Sequence, residues 1–115
     1  MTGTGKTGIE DLLASTAQLR RDDLIAWINE ELVVPEGPAE TPSFSDEARV
    51  RVRLLCRLRY DLDIDAEALP VVVSLLDQLH DAQYRLRALA GAVAAQDQAV
   101  REAIIAVLRG PASAR

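Results

Sequence analysis

The stretch "GTGKTG" (3–8) carries the residue types of a phosphate-binding loop. Such a loop reads G-x-x-x-x-G-K-[ST], leaves a strand and opens a helix, so that backbone N–H groups can cradle phosphates. Gly5-Lys6-Thr7 supplies only its last three letters, and the first glycine would have to precede Met1. Spacing and context both fail, and residues 1–8 are expected to form a flexible tail. His80 is the single histidine and Cys56 the single cysteine. They fall on different predicted helices with no third ligand, so no metal cluster is expected. Cys56, beside Leu55, reads as a small core residue and His80 as a surface one. No serine sits in a nucleophile elbow, and spacing alone assigns no acid/base pair. The chain is therefore expected to be a non-enzyme that needs no cofactor or metal.

Two charged arrays remain. Arg49, Arg53 and Arg57 recur every four residues and form a basic stripe that could meet phosphates or acidic side chains. Asp61, Asp63, Asp65, Glu67, Asp77 and Asp81 gather around a predicted turn and the helix after it, and could receive a basic partner. In both cases an ordinary solvated surface is the competing explanation. Trp27 is the one tryptophan, suited either to anchor an interface or to fill a core.

The elements that must position these residues are helical. Leu, Val, Ile and Ala supply the apolar content, while aromatics make up only 3% of the 115 residues. No apolar run reaches the roughly 18 residues of a membrane span, and no basic-then-apolar leader is seen, so a cytoplasmic, membrane-free protein is expected. A net charge of −5 argues against a protein that coats nucleic acid, though not against a local basic face.

"IEDLLASTAQL" (9–19) and "RRDDLIAWINEEL" (20–32) predict two helices meeting at an angular corner, the second capped by Asp22, with Leu24, Ile25, Ile28 and Leu32 on one face. Three prolines and a glycine break the helix over 33–45, where Val33-Val34 and Ser43-Phe44 could pair as a small wing. Ser45 predicts the cap of a helix over 45–62, and Asp65 that of a last helix with Pro70 in its first turn. From Leu69 an apolar 3–4 spacing runs through Leu76, Leu79, Leu86 and Val93 to Val107, interrupted at Gln83 and Asp97. It suggests packing within the chain or against a second copy, a homodimer, with residues 94–109 either continuing the helix or folding back. The expected fold is mainly all-α: a winged helix-turn-helix over 9–68 and a helical or coiled-coil segment over 69–109, ending in a disordered tail at 110–115.

The order helix, turn, helix, wing, helix, helix resembles the MerR-like winged helix-turn-helix layout. "FSDEARVRVRLLCRLRYDLDIDAEALPVVVSLLDQL" (44–79) looks like the MerR segment after the wing. More specifically, Leu75-Leu76-Asp77 and "LVVPEG" (32–37) resemble features of the chaperone-modulator family, CbpM. The resemblance spans roughly 9–90. It implies a small cytoplasmic protein that binds the J-domain of a DnaJ/CbpA-type co-chaperone and restrains its stimulation of Hsp70. J-domains carry a basic helix, which suits an acidic binder. Asp61, Asp63, Asp65, Asp77 and Asp81 would then face the partner, with Trp27 as apolar anchor. The alternative is a MerR-like DNA-binding regulator using the Arg49, Arg53, Arg57 stripe. Such regulators place Arg and Tyr in the recognition helix, whereas "DDLIAWINEEL" (22–32) carries four acids and disfavours specific DNA binding.

Overall fold

The structure, a computed structural model, describes residues 7–110. The chain divides into two compact units, Met1–Ser74 and Leu75–Arg115.

In the first unit, strand β1 (Thr7–Gly8) leads into helices α1 (Ile9–Ser15) and α2 (Arg21–Asn29). Asp22, expected as the α2 cap, lies inside its first turn. Arg20 holds the extended cap position, and Asp22 and Asp23 instead meet the positive end of the helix dipole. A fork from Arg21 to both carboxylate oxygens of Glu10, at 2.8 Å each, links α2 to α1.

The end of α2 sets up the wing. Leu32 N–H donates to the Trp27 carbonyl (2.9 Å) and Glu31 N–H to that of Ile28 (3.0 Å), with Glu31 left-handed at φ 62°. This is a Schellman stop, here without the usual glycine. The chain leaves it with Val33 buried in the core and Val34 69% exposed, but this pair forms no strand, and the residue that bridges to Ser43 is Glu36. Strand β2 (Ser43–Phe44) pairs antiparallel with β1 instead, in the register Thr7↔Phe44 and Gly8↔Ser43. Thr7 and Gly8, placed by sequence in the tail, are thus part of the sheet. The wing is closed by the Glu36–Ser43 bridge, with Gly37 at φ 84° turning the loop. Gly3, Gly5 and Lys6 of the loop-like "GTGKTG" lie outside the described residues.

Helix α3 (Asp46–Cys56) is capped as expected: Ser45 Oγ accepts from Ala48 N–H at 3.1 Å. It continues into a π-helical turn, Arg57–Asp61. The turn after it is held by Asp65, whose side chain accepts from Ala68 N–H at 2.9 Å, and α4 (Leu69–Ala94) then begins with Pro70 in its first turn. The core of this unit gathers Leu12, Leu24, Trp27, Phe44, Val52 and Leu55, closed by Leu69 and Val73 of α4. Those last two place the start of α4 with the first unit.

In the second unit, the long apolar repeat does not form one helix. α4 ends at Ala94 and α5 (Gln98–Arg109) folds back as a separate helix. Asp97, a polar break in the repeat, caps α5 by accepting from Val100 N–H at 3.0 Å. Arg101 donates to the carbonyls of Ala94 and Gln96, both at 3.2 Å, and so covers the frayed end of α4. Gly91 remains inside α4. No described helix is long and apolar enough to cross a membrane.

Candidate partner-binding surface

The acidic turn is built around Tyr60. Its hydroxyl donates to Asp23 Oδ2 of α2 at 2.5 Å and accepts from the Arg20 N–H at 3.3 Å. Its ring lies 6.3 Å from that of Trp27, tilted by 42°. Burial, and then the bond to Asp23, pushes the Tyr60 phenol far above its ordinary value, so it remains a donor at any physiological pH. This tether joins the π-helical turn to α2 and fixes where Asp61 emerges. A cleft of about 530 Å³ opens beside it, lined by Arg20, Asp23, Arg59, Tyr60 and Asp63.

Asp61, Asp63 and Asp65 are all exposed on this turn. Asp63 is left-handed at φ 57°, a conformation that Asp adopts more readily than most residues, and pairs loosely with Arg59 at 3.8 Å. Asp65 is partly committed to holding Ala68. Asp77 and Asp81 are exposed on α4 in the second unit, one helical turn apart, and Asp81 pairs with Arg85 at 3.2 Å. Trp27 is only 4% exposed, so its indole is engaged in the core behind Tyr60 and offers no free surface.

The basic stripe is uneven. Arg49 is half-buried, paired with Asp46, and donates to the Thr7 hydroxyl at 3.4 Å, which ties α3 to β1. Arg53 and Arg57 remain as exposed cations. Two charges one turn apart are a small footprint for a polyanion. Cys56 is buried, and burial aided by the charges of Asp23 and Asp61 pushes its thiol up to about 11, which suits a core residue rather than a nucleophile. His80 is exposed, and no metal-holding group of His, Cys, Asp or Glu occurs among the described residues.

Residues 9–90, covering both helices of the corner, the wing, α3 and most of α4, match the family described as "MerR HTH family regulatory protein". The chain belongs to this MerR family. Among curated proteins it is similar to the "Chaperone modulatory protein CbpM" of Coxiella burnetii, strains Dugway 5J108-111 and RSA 331 / Henzerling II. Identity is 29% over 80 residues in each case, covering 69% of this chain and 76% of the relative. No solved structure matches the chain. The MerR match ends at Ala90, so α5 and the fold-back lie beyond it.

Tyr60 is the residue of this candidate surface that the sequence does not single out. The residue it holds, Asp23, lies 37 positions away, and no local periodicity connects the two. The only local hint was an aromatic residue flanked by Arg59 and Asp61 at the end of a charged helix.

Proposed function

We propose that this MerR-family chain is a chaperone modulator of the CbpM type. It binds the J-domain of a DnaJ/CbpA-like co-chaperone in the cytoplasm and restrains stimulation of Hsp70, acting by binding rather than by catalysis. The observation that carries this reading is the similarity to CbpM over 80 residues, which includes the turn bearing the acids. The surface chemistry supports it: Asp61 and Asp63 stand exposed on a turn fixed by the Tyr60–Asp23 bond, ready to meet a basic helix. Asp65 contributes charge beside its capping role, and Asp77 and Asp81 offer a second acidic pair on α4. Trp27 enters this reading as the support behind Tyr60 and not as a contact.

The same chain is proposed to self-associate along α4. Leu79 is 50% exposed and Leu86 65% exposed, while Leu76 and Val93 are half-buried. A groove of about 400 Å³ between α4 and α5, lined by Leu86, Leu89, Val93, Ile104, Ile105 and Leu108, adds further apolar surface in this unit.

The test is surface plasmon resonance of the full chain against J-domains of its own organism. Binding should weaken with salt, and Asp61→Lys with Asp63→Lys should slow association. High-affinity binding to a specific DNA duplex instead would replace this reading with that of a DNA regulator using Arg53 and Arg57.

A further inference from the structure

Charge is unevenly spread over this molecule. From Asp22 to Pro42 the chain carries six acids and no Lys or Arg, more negative charge than the whole chain's net −5, and Arg21, the first residue of α2, is paired with Glu10 of α1. Of the six, Asp22, Glu30, Glu31, Glu36 and Glu40 are exposed. Inside this acidic stretch lies an apolar groove of about 310 Å³, formed by Ile9 of α1, Ile25 and Ile28 of α2, and Pro35, Ala39 and Pro42 of the wing. Ile25 is 41% exposed, although it sits on a helix whose opposite face is fully packed through Leu24 and Trp27. Glu30 and Glu40 each follow a lining residue, Asn29 and Ala39, directly in sequence.

In DNA-reading helix-turn-helix proteins, the second helix enters the major groove and needs cations and hydrogen-bond donors. Here its free face is isoleucine and its margin is acidic, so a phosphate backbone would be repelled. The complementary ligand has the opposite pattern: a row of apolar side chains to fill the groove, flanked by Lys or Arg to meet Asp22, Glu30 and Glu40. We propose that the groove between α1, α2 and the wing seats the apolar face of a basic amphipathic helix from a protein partner. The inference rests on the chaperone-modulator reading only for which protein supplies that helix.

The test uses the full chain and three probes: the J-domain, a synthetic Leu/Lys amphipathic helical peptide, and its Leu/Glu counterpart. Two groove variants are compared with the unmodified chain, Ile25→Ser and the double change Glu30→Lys with Glu40→Lys. All three positions are exposed, and circular dichroism melts verify folding. The Leu/Lys peptide should bind and the Leu/Glu peptide should not. Each groove variant should weaken binding of the Leu/Lys peptide and of the J-domain by roughly fivefold or more. The turn variant Asp61→Lys with Asp63→Lys should weaken peptide binding less than either groove variant does. If the Leu/Lys peptide fails to bind, or the groove variants bind both probes as tightly as the unmodified chain, the groove proposal is overturned. The same holds if only the turn variant loses the J-domain, in which case the modulator reading survives. If the peptide binds in the groove and no J-domain does, the groove stands and the modulator reading falls.

Discussion

Replacing Tyr60 by Phe removes one oxygen and leaves the ring against Trp27 in place. The lost bond, from a phenol to the Asp23 carboxylate at 2.5 Å, is charge-assisted. Bonds of this kind contribute about 1.5–3 kcal/mol when their partner cannot be resolvated. Asp23 is half-buried but lines an open cleft, so water can take over part of its hydrogen bonding. The weaker Arg20 N–H contact at 3.3 Å is also lost. These terms place the cost of Tyr60→Phe near the low end, about 1–2 kcal/mol. Urea unfolding should show it as a lower midpoint with an unchanged slope. A double-mutant cycle with Asp23→Asn should return most of it as coupling energy. A loss below about 0.3 kcal/mol, inside the scatter expected of independent sites, would refute the claim that this bond fixes the acidic turn to α2.

Four further outcomes are expected. Glu31→Gly should stabilise the fold by about 0.5–1 kcal/mol, since the residue is left-handed at φ 62° and glycine adopts that conformation without strain; chemical denaturation reads it. Ser45→Ala should cost about 1 kcal/mol by leaving the Ala48 N–H without its cap, measured in the same way. Stability should fall as pH rises from 9.0 towards about 11, because the folded state holds the Cys56 proton longer than the unfolded chain does; Cys56→Ala should flatten the lower part of that window in melts taken at stepped pH, while Tyr60, whose phenol is also raised, keeps a fall of the same sign above about 10. Leu79→Asp should shift sedimentation of the full chain towards monomer at roughly tens of micromolar, a concentration that detects association of about −6 to −7 kcal/mol.

Most local signals are legible in the sequence and distant ones are not; Asp22 is the local exception, since Arg20 takes the cap position that its residue type suggests. Ser45 and Asp65 marked helix starts because a cap acts through a backbone group only three residues away. The wing was placed correctly along the chain, but its strand partner was not. Ser43-Phe44 pairs with Thr7-Gly8, some 36 residues earlier, a separation that no local pattern reveals. The apolar repeat from Leu69 leaves open whether residues 94–109 continue the helix or fold back, and Asp97, visible in the sequence as a polar break, ends it by capping α5. The acidic turn was visible as composition, but the bond that holds it was invisible because it joins two separate helices. Trp27 was legible as important and ambiguous as to side: only the fold shows it facing inward. The groove beside it was hidden for a related reason, since Ile25 and Ile28 look like ordinary core positions until the packing leaves them uncovered.

The central claim is that this MerR-family chain binds a J-domain. Surface plasmon resonance of the unmodified chain against each DnaJ-like J-domain of its own organism tests it most directly. A saturable response that weakens as salt rises is the predicted result. No detectable binding to any of them at about 100 μM, corresponding to affinity weaker than roughly −5.5 kcal/mol, would contradict it.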